Sequence, residues 1–343
     1  MKIWFDILTP KQLLFFESMI EKLQKSNQIL CTSRKYREVV ELAKIRGINL
    51  VFIGKHGGDD RFGKLNASIL RMNGLASRIR KFAPNLTVSF CSPEAARISY
   101  GLGIKHVAFC DSPHAEAVMR LSIPLVQKLL IPWIIPKKEF SKYGISQRNI
   151  IQYKSLDASL IVKNKSKKYS KKDFSLKNKK TIVIRTEESQ AAYISTRKNS
   201  FHIVRRIANK FPDCNIVILG RYTPQINQFK KEFGDKITIL NKVVDGKGLL
   251  MLTDVFIGSG GTMTAESALM GIPTISYDAV PNIIEQYLVK KHLVKREKDP
   301  EKIVRLVKQF LKSDNKKDIN NAKKILKSMD DPFPKLVTAI KSI

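Results

Sequence analysis

Hydrophobic residues recur along this chain in short apolar runs that alternate with longer stretches of helical periodicity. Residues 2–8 form an apolar run that predicts a strand, and Thr9 and Pro10 turn the chain into an amphipathic segment over about residues 11–25. In that segment apolar side chains return roughly every three to four residues, which is the spacing of one helix face. The alternation continues through a predicted fifth strand at residues 106–110. Strands that alternate with helices predict a parallel, doubly wound sheet.

The second half of the chain repeats this alternation after a break in composition. Residues 161–180 hold nine lysines and one acidic residue, which is typical of a solvated connection between domains. We therefore predict an α/β protein of GT-B type, with two Rossmann-like, doubly wound parallel-sheet domains facing a cleft. The predicted divisions are an N-terminal domain at 1–160, the lysine-rich linker at 161–180, a C-terminal domain at 181–330, and a helix at 331–343 that packs back on the first domain.

Several loops that follow predicted strands of the first half carry residues suited to chemistry. In a doubly wound sheet, ligands bind beyond the carboxyl ends of the strands. Histidine is scarce, with five in the chain, and two of the five lie in these loops. Proton-transferring side chains gathered at one edge of a sheet indicate a catalytic site. The candidates for catalysis are Asp6, Glu94, Asp111, His114 and Glu116, and those for loop contacts to a ligand are Lys55, His56 and Gly57.

The sequence DVFIGSGGTMTAESALMGIPTIS, at residues 254–276, predicts a strand, a glycine turn, a short helix and a second strand. Gly260 and Gly261 let the backbone approach a ligand because neither carries a Cβ atom. Thr262 is the predicted N-cap, so free N–H groups and the positive end of the helix would suit a phosphate. Glu266 follows about one turn into the helix, where its carboxylate can accept hydrogen bonds from sugar hydroxyls. The glycines alone are equally compatible with a turn that binds nothing.

The chain is strongly basic. Its 62 Lys and Arg residues oppose 30 Asp and Glu residues, which gives a net charge of +32. Such an excess indicates an anionic partner, whether nucleic acid, an anionic membrane surface or a phosphorylated substrate, unless it reflects high intracellular salt or lysine enrichment of a whole proteome. The four cysteines are far apart and lack the spacing of a zinc site, so we predict no metal and expect reduced thiols. We expect no signal peptide, and the longest apolar segment, at residues 121–136, is too short to span a membrane.

Five stretches give the chain a resemblance to a known family. KIWFDILTP, GKHGG, SPEAAR, HAEAVMRL and GSGGTMTAESALMGIPTIS resemble the prokaryotic family called "domain of unknown function 354" over nearly the whole chain. That family is similar to nucleotide-sugar enzymes of GT-B fold, in particular non-hydrolysing UDP-N-acetylglucosamine 2-epimerases and the N-acetylglucosaminyltransferase of peptidoglycan synthesis. In the transferase, a serine–glycine turn followed seven residues later by a glutamate binds the nucleotide diphosphate and the ribose. The resemblance implies these roles for Ser259 and Glu266.

The chain departs from the family pattern in its first loop. The family carries histidines there, in a pattern such as NPPHVHFF, whereas this chain reads LTPKQLLFF and has none. Chemistry of the family type would then depend on the titratable residues that remain, which are Asp6, His56, Glu94, His114 and Glu116.

The first functional hypothesis is a metal-independent GT-B glycosyltransferase that acts on an anionic or lipid-linked acceptor. Such enzymes neutralise the leaving diphosphate with a helix N-terminus and basic side chains. His114 is the first choice of general base, with Glu116, Asp111 or Asp6 as alternatives. No cofactor is expected, and the substrate is a nucleotide sugar that the resemblance implies to be UDP-linked. The predicted nucleotide-sugar contacts are Ser259, Gly260, Gly261, Thr262, Thr264, Glu266, Arg185 and Arg221.

Two other hypotheses remain open. A sugar-nucleotide 2-epimerase would need paired acid and base groups around the sugar, and the residues that can supply them are Asp111, His114, Glu116 and Glu94. A nucleic-acid-binding protein would explain the charge, but no helix-turn-helix, RNA-recognition or zinc-finger pattern accompanies it. The lysine excess, together with the apolar segment around Trp133, predicts a cytoplasmic protein that docks on the inner face of an anionic membrane.

Overall fold

The computed structural model describes residues 1–58, 60–187, 199–220, 223–240, 243–277 and 282–343. The chain divides into two compact units, one formed by Met1–Leu160 with Asp330–Ile343 and the other by Ile161–Met329. Each unit has a parallel sheet, of seven strands in the first and six in the second. The predicted α/β class with two parallel-sheet domains is confirmed.

The sheet of the first unit has the strand order β3-β2-β1-β4-β5-β6-β7. Its strands are β1 (Lys2–Asp6), β2 (Gln28–Lys35), β3 (Val51–Lys55), β4 (Leu86–Ser89), β5 (Lys105–Phe109), β6 (Lys128–Pro132) and β7 (Ile150–Tyr153). Its helices are α1 (Pro10–Leu23), α2 (Arg37–Arg46), α3 (Arg61–Phe82), α4 (Pro93–Gly101), α5 (Glu116–Ser122), α6 (Lys138–Ser141), α7 (Asp157–Lys163), which crosses into the second unit, and the C-terminal α15 (Phe333–Lys341).

Successive residues of the central strand β1 enter two different cores. Trp4 packs with Leu75 and Ile79 of α3, whereas Phe5 meets Phe16 of α1 with ring centroids 5.4 Å apart. This follows from the two-residue period of a strand, which sends neighbouring side chains to opposite faces of the sheet. The sheet is therefore covered on both faces, as parallel sheets require. Helix α15 contacts β5, β6 and β7 of the same unit.

The apolar segment at residues 121–136 supplies a strand of this sheet. Within it, Lys128–Pro132 is β6, whose last four residues are buried between β5 and β7. Trp133 is only half-buried and Ile135 is fully buried. The segment is thus largely core, because a continuous apolar run in a parallel sheet is covered on both faces. It does not form the apolar surface that membrane docking through Trp133 would need.

The sheet of the second unit has the order β10-β9-β8-β11-β12-β13. Its strands are β8 (Thr181–Arg185), β9 (Asn215–Leu219), β10 (Thr238–Ile239), β11 (Val255–Gly258), β12 (Thr274–Ser276) and β13 (Lys295–Arg296). Its helices are α8 (Asn199–Lys210), α9 (Thr223–Phe233), α10 (Gly246–Leu250), α11 (Thr262–Leu269), α12 (Ile283–Lys290), α13 (Pro300–Lys312) and α14 (Lys316–Lys327).

The lysine-rich segment at residues 161–180 belongs to the second unit. Its few apolar side chains are not solvated. Phe174 and Leu176 are buried against Val183 of β8, and Tyr169 packs on the same cluster. A ring atom of Tyr169 would lie 2.2 Å from a Cβ atom built at Gly248, so α10 and this segment are in close contact. The lysines face outward from a segment that its aromatic residues fix to the sheet.

Candidate functional site

The glycine turn of the second unit lies at the switch point of its sheet. β8 is followed along the sheet by β9 on one side, and its neighbour β11 is followed by β12 on the other. The crevice at such a point, beyond the carboxyl ends of the strands, is where doubly wound sheets bind ligands. β11 ends at Gly258, so Ser259, Gly260 and Gly261 lie directly beyond its carboxyl end.

The backbone of this turn requires glycine. Gly260 has a φ angle of +85° and Gly261 one of +81°, both in the region that L side chains rarely adopt. A Cβ atom built at Gly261 would meet no atom of the described residues within 4 Å. At Gly258, by contrast, it would lie 2.5 Å from Oγ1 of Thr264. The turn is therefore packed against its own helix on one side and open beside Gly261.

Helix α11 begins at Thr262, and its N-cap is Gly261 instead of the predicted Thr262. The shift has a backbone cause, because the φ of +81° and ψ of −168° at Gly261 lie outside the helical region and are open to glycine almost alone. A glycine cap has no side chain, so it gives no hydrogen bond to the first N–H groups of the helix. These N–H groups, together with the helix dipole, form the part of the turn that can bind an anion.

Three predicted ligand contacts of this turn have distinct positions. The Ser259 hydroxyl donates to the carbonyl oxygen of Thr186 at 3.3 Å, and the Thr264 hydroxyl donates to that of Gly260 at 3.0 Å. Both hydroxyls thus hold the turn to β8 and to itself. The Thr262 side chain is half-buried at the first helical position.

Glu266, in the middle of α11, is 6% exposed. Among the residues that the structure describes, its carboxylate has no hydrogen-bond or ion-pair partner. Burial raises the pKa of Glu266 to about 8; the charge of Asp245 adds to this rise and that of Lys247 opposes it. Asp245 is itself engaged, since it caps α10 and accepts a hydrogen bond from the Ser166 hydroxyl at 2.9 Å. Glu266 is therefore a buried acid that is largely protonated at neutral pH.

Arg185 is the last residue of β8 and lies across the switch point from the turn. Its guanidinium donates to the carbonyl oxygens of Leu219 and Gly220 at 3.4 and 3.5 Å. The hydroxyl of the buried Tyr277 donates to the carbonyl oxygen of Arg185 at 3.2 Å. Arg221, the other predicted cation, lies outside the described residues.

The first unit has its switch point between β1 and β4, and there the polar side chains bind one another. Asp6 is fully buried and accepts hydrogen bonds from the Thr32 hydroxyl at 2.7 Å, the Ser92 hydroxyl at 2.6 Å, and two nitrogens of Arg71 at 2.5 and 3.2 Å. Glu94 approaches the same guanidinium at 3.5 Å. Four donors occupy the oxygens of Asp6, and no surface of this residue is exposed. The structure therefore gives Asp6 a structural role in place of the catalytic role that we predicted.

A second charged cluster of this unit lies beyond β5 and β7. Nζ of Lys11, in the first turn of α1, is 2.5 Å from Asp111 and 2.8 Å from Asp157. The hydroxyl of Tyr153 donates to Asp157 at 2.5 Å. The ammonium also lies 4.3 Å from the centroid of the Phe90 ring. Two carboxylates thus share one cation in a site that is largely closed to water.

Their surroundings displace the pKa values of these two carboxyls in opposite directions. Burial raises the pKa of Asp157, with the charge of Lys11 acting against it. Burial acts in the same sense on Asp111, but there the charge and the hydrogen bond of Lys11 prevail and lower its pKa. Carboxyls whose environments separate their pKa values in this way are suited to act as an acid and a base.

His114 and Glu116 follow Asp111 along the chain and are both exposed. Partial desolvation lowers the pKa of His114, Asp111 opposes this, and the cation of Lys11 reinforces it. His114 is therefore neutral at pH 7 and can accept a proton. The Glu116 side chain is 62% exposed and pairs with Arg120, one helical turn away, at 2.8 Å. The charges of Asp111 and Lys11 in the buried cluster thus act on His114.

Lys55 is the last residue of β3, the outermost strand, and His56 and Gly57 begin the loop that follows it. The backbone N–H of Gly58 donates to Nδ1 of His56 at 3.1 Å. Four strand spacings, about 19 Å, separate β3 from β5. The structure therefore does not bring this loop together with His114.

Sequence reasoning missed three members of the buried cluster, Lys11, Tyr153 and Asp157. Lys11 carried a usable signal, because it follows a predicted strand within five residues. Tyr153 and Asp157 carried no usable signal, since β7 was not predicted.

A metal was not expected, and within the described residues no group of three or more His, Cys, Asp or Glu could hold one. None of the helices in those residues is long and apolar enough to cross a membrane.

Comparisons with known proteins bear on both the family and the fold. A family model described as "Protein of unknown function (DUF354)" matches residues 1–342. An uncharacterized protein of Methanocaldococcus jannaschii is 28% identical over 320 residues, which are 90% of this chain and 91% of the relative. The predicted family resemblance is thereby confirmed.

Two solved structures show the similarity of fold. UDP-GlcNAc 2-epimerase from Neisseria meningitidis, solved with UDP-GlcNAc bound, has a TM-score of 0.75 at 14% identity. The match covers 100% of both chains. The glycotransferase of kitacinnamycin has a TM-score of 0.62 at 12% identity, with 95% of this chain and 94% of that one covered. At these identities the similarity concerns the fold, which is of GT-B type as predicted.

Proposed function

The chain belongs to the DUF354 family, and we propose that it is an enzyme that uses a nucleotide sugar. The observation that carries this proposal is the turn of the second unit, where an uncapped helix N-terminus and a buried carboxylate without a partner among the described residues occur together at a sheet switch point. Each feature taken alone reduces stability, because orphan N–H groups and buried polar side chains without a hydrogen-bond partner are both costly. A turn that only connected β11 to α11 would need neither.

The diphosphate of the nucleotide would bind at the first turn of α11. Backbone N–H groups and the positive end of the helix favour an anion there, and the open space beside Gly261 lets a phosphate approach the backbone. In glycosyl transfer the diphosphate gains negative charge as it leaves, so the same groups would stabilise the transition state. Arg185 adds a cation at the neighbouring strand end.

The ribose would bind at Glu266, because two neighbouring hydroxyls can donate to the two oxygens of one carboxylate. Without a ligand this carboxyl has a pKa of about 8 and is mostly protonated at pH 7. Hydrogen bonds to the ionised form lower a carboxyl pKa. Binding should therefore release a proton, and affinity should rise with pH until the pH exceeds about 8.

His114 is the group that we propose as proton acceptor for transfer to an acceptor hydroxyl. Its imidazole is exposed and, with its lowered pKa, neutral at physiological pH. The net charge of +32 supports an anionic acceptor, such as one carried on a lipid phosphate. UDP-GlcNAc in the structurally similar Neisseria enzyme supports a UDP-linked donor.

Epimerisation at C2 of the sugar is the second candidate, and one observation favours it. Asp111 and Asp157 share Lys11 with pKa values displaced in opposite directions. In this reaction the C2 proton is removed as UDP leaves from C1, and a proton returns to the other face of C2 as UDP adds back, so a pair of acid and base is needed.

Incubation with UDP-GlcNAc in D2O distinguishes the two reactions. A transferase releases UDP only when an acceptor is present and incorporates no deuterium at C2. An epimerase incorporates deuterium at C2 with no acceptor at all. A thermal-shift comparison of UDP-, GDP-, CMP- and dTDP-sugars tests the shared premise, since a ligand at a hundredfold excess over its Kd adds about 2.7 kcal/mol of stability. No shift with any of the four would contradict a nucleotide-sugar enzyme.

A further inference from the structure

Helix α3 of the first unit exposes a row of large apolar side chains. Phe62 is 76% exposed, Leu65 59%, Ile69 51% and Leu70 61%. No other described helix exposes as many large apolar residues. Soluble surfaces tolerate single exposed apolar residues, but a contiguous group of this size marks a contact surface.

Helical geometry places these residues on one side of α3. With 3.6 residues per turn, Phe62, Leu65 and Ile69 fall within an arc of about 60°, and Leu70 widens that arc to about 140°. The side that packs on the sheet is a different one, made by Arg71, Leu75 and Ile79. We call Phe62, Leu65, Ile69 and Leu70 the apolar row. Because other residues pack α3 on the sheet, the apolar row does not contribute to the core.

All charged residues of α3 are basic. The helix has six Arg and Lys residues and no Asp or Glu. Arg71 is neutralised inside the unit by Asp6 at 2.5 Å. The other five basic residues are Arg61, Lys64, Arg78, Arg80 and Lys81. Arg80 lies in line with Phe62 and Ile69, because eighteen residues complete five turns. The outward side of α3 thus begins apolar and ends basic over a length of about 33 Å.

We propose that α3 docks on the surface of an anionic lipid bilayer, with the apolar row inserted among the lipids and the basic C-terminal half against the headgroups. Interfacial helices combine an apolar side with Lys and Arg in this way. A second copy of the chain does not fit as the occupant, because two helices without acidic residues would repel each other on chains of net charge +32. Nucleic acid does not fit either, since Phe62 is the only residue of the row with a ring on which a base could stack. This proposal does not depend on the proposed sugar chemistry.

Co-sedimentation with vesicles tests the proposal. The vesicles are phosphatidylcholine alone or phosphatidylcholine mixed with phosphatidylglycerol. The wild type should bind only the mixed vesicles, and less strongly at high salt. Phe62→Ser with Ile69→Ser should weaken that binding by about tenfold for each side chain. Arg78→Gln, Arg80→Gln and Lys81→Gln together should weaken it by about fivefold for each charge and reduce its salt dependence.

Matched controls change the same chemistry elsewhere. Met251, 57% exposed in the second unit, is replaced by Ser, and Lys317, Lys323 and Lys324 of α14, all exposed, are replaced by Gln. These variants should bind mixed vesicles as the wild type does. Thermal unfolding and circular dichroism establish that every variant is folded.

Three outcomes would overturn the proposal. The first is equal binding of neutral and mixed vesicles. The second is an equal loss of binding in the α3 variants and in their controls. The third is sedimentation equilibrium that shows a dimer lost in the Phe62→Ser, Ile69→Ser variant while no vesicle is bound, which would make a second copy the occupant. UDP-GlcNAc binding by the α3 variants is measured in parallel and should equal that of the wild type.

Discussion

The two sheets of this protein share the same order of strands around their switch points. They differ in whether the polar groups at the switch point are satisfied by hydrogen bonds within the fold. Between β1 and β4 of the first unit, Asp6 is surrounded by donors from Thr32, Arg71 and Ser92, and nothing is left for a ligand. Between β8 and β11 of the second unit, a glycine turn leaves helix N–H groups uncapped. Glu266 follows with no partner among the described residues.

This difference shows that the strand order predicts where a ligand site can lie but does not by itself make that place a binding site. A crevice at a switch point arises in every doubly wound sheet. It becomes a site only where polar groups remain unsatisfied after folding, because satisfied groups have no hydrogen bonds left to offer. In the first unit a different charged cluster lies at the ends of β5 and β7, where Lys11 pairs with Asp111 and Asp157.

The largest expected effect is on stability, from Arg71→Met in the first unit. The change leaves the carboxylate of Asp6 buried without its cation, and breaking a buried pair from one side costs about 3–5 kcal/mol. Urea unfolding should show a loss of this size. Arg71→Met combined with Asp6→Asn is the control, and it should recover part of the loss because no buried charge remains. A loss below about 1 kcal/mol would mean that the first switch point is not closed by this pair.

The fold was predictable because its signal is local. Apolar runs separated by helical periodicity lead to parallel strands and helices wherever the period is clear. The strand β6 was missed because it ends in a proline and lies in the longest apolar segment, which we interpreted as a surface for membrane docking instead of a strand. β13 has two residues, too few for any period to appear.

The site was predictable only where its residues are neighbours in sequence. Gly260, Gly261 and Glu266 stand within seven residues, and a turn followed by a helix carries its own geometry. The saturation of Asp6 depends instead on residues 26, 65 and 86 positions away. The pair of Lys11 and Asp111 spans 100 positions. Such contacts follow from strand order, which no local pattern contains.

The second expected effect is on binding, from Gly261→Val. An L residue at φ +81° and ψ −168° strains the backbone by about 1–3 kcal/mol, and a branched side chain would fill the space proposed for a phosphate. Affinity for UDP-GlcNAc should fall by at least about a hundredfold in isothermal titration, or about 2.7 kcal/mol. Gly47→Val is the matched control, since Gly47 also has a positive φ and open space but lies in the first unit. Equal affinities for UDP-GlcNAc in the two variants would mean that the glycine turn only connects β11 to α11 and does not bind the nucleotide.

The third prediction concerns Glu266→Gln, which should weaken binding and improve stability at the same time. A hydrogen bond to a charged group contributes about 1.5–3 kcal/mol, so affinity should fall about tenfold or more. The affinity of the wild type should rise with pH up to about 8, whereas that of the variant should not.

Stability should respond to pH in the opposite sense. The pKa of Glu266 is about 8 when folded, against roughly 4.3 when unfolded. Between these values the folded state holds a proton that the unfolded state lacks, so this contribution is complete below pH 4.3 and is lost as the pH rises to 8. The free energy of unfolding of the variant, relative to the wild type, should therefore increase from pH 5 to pH 9. A variant that is less stable at pH 9 would indicate a structural Glu266.

The smallest expected changes in affinity and stability come from the exposed residues beyond β5, and they separate proton transfer from surface charge. His114→Ala should leave the free energy of unfolding and the Kd for UDP-GlcNAc unchanged within about 0.5 kcal/mol, because the side chain is exposed. Turnover should fall by about a hundredfold or more if the imidazole accepts the proton.

Glu116→Gln is the comparison: it removes an exposed i,i+4 pair with Arg120, for which about 0.3–0.5 kcal/mol is the usual contribution, and turnover should remain. The reverse result, with turnover lost in Glu116→Gln and kept in His114→Ala, would transfer the role of base to Glu116. Loss of nucleotide affinity in His114→Ala would contradict the assignment of nucleotide binding to the second unit alone.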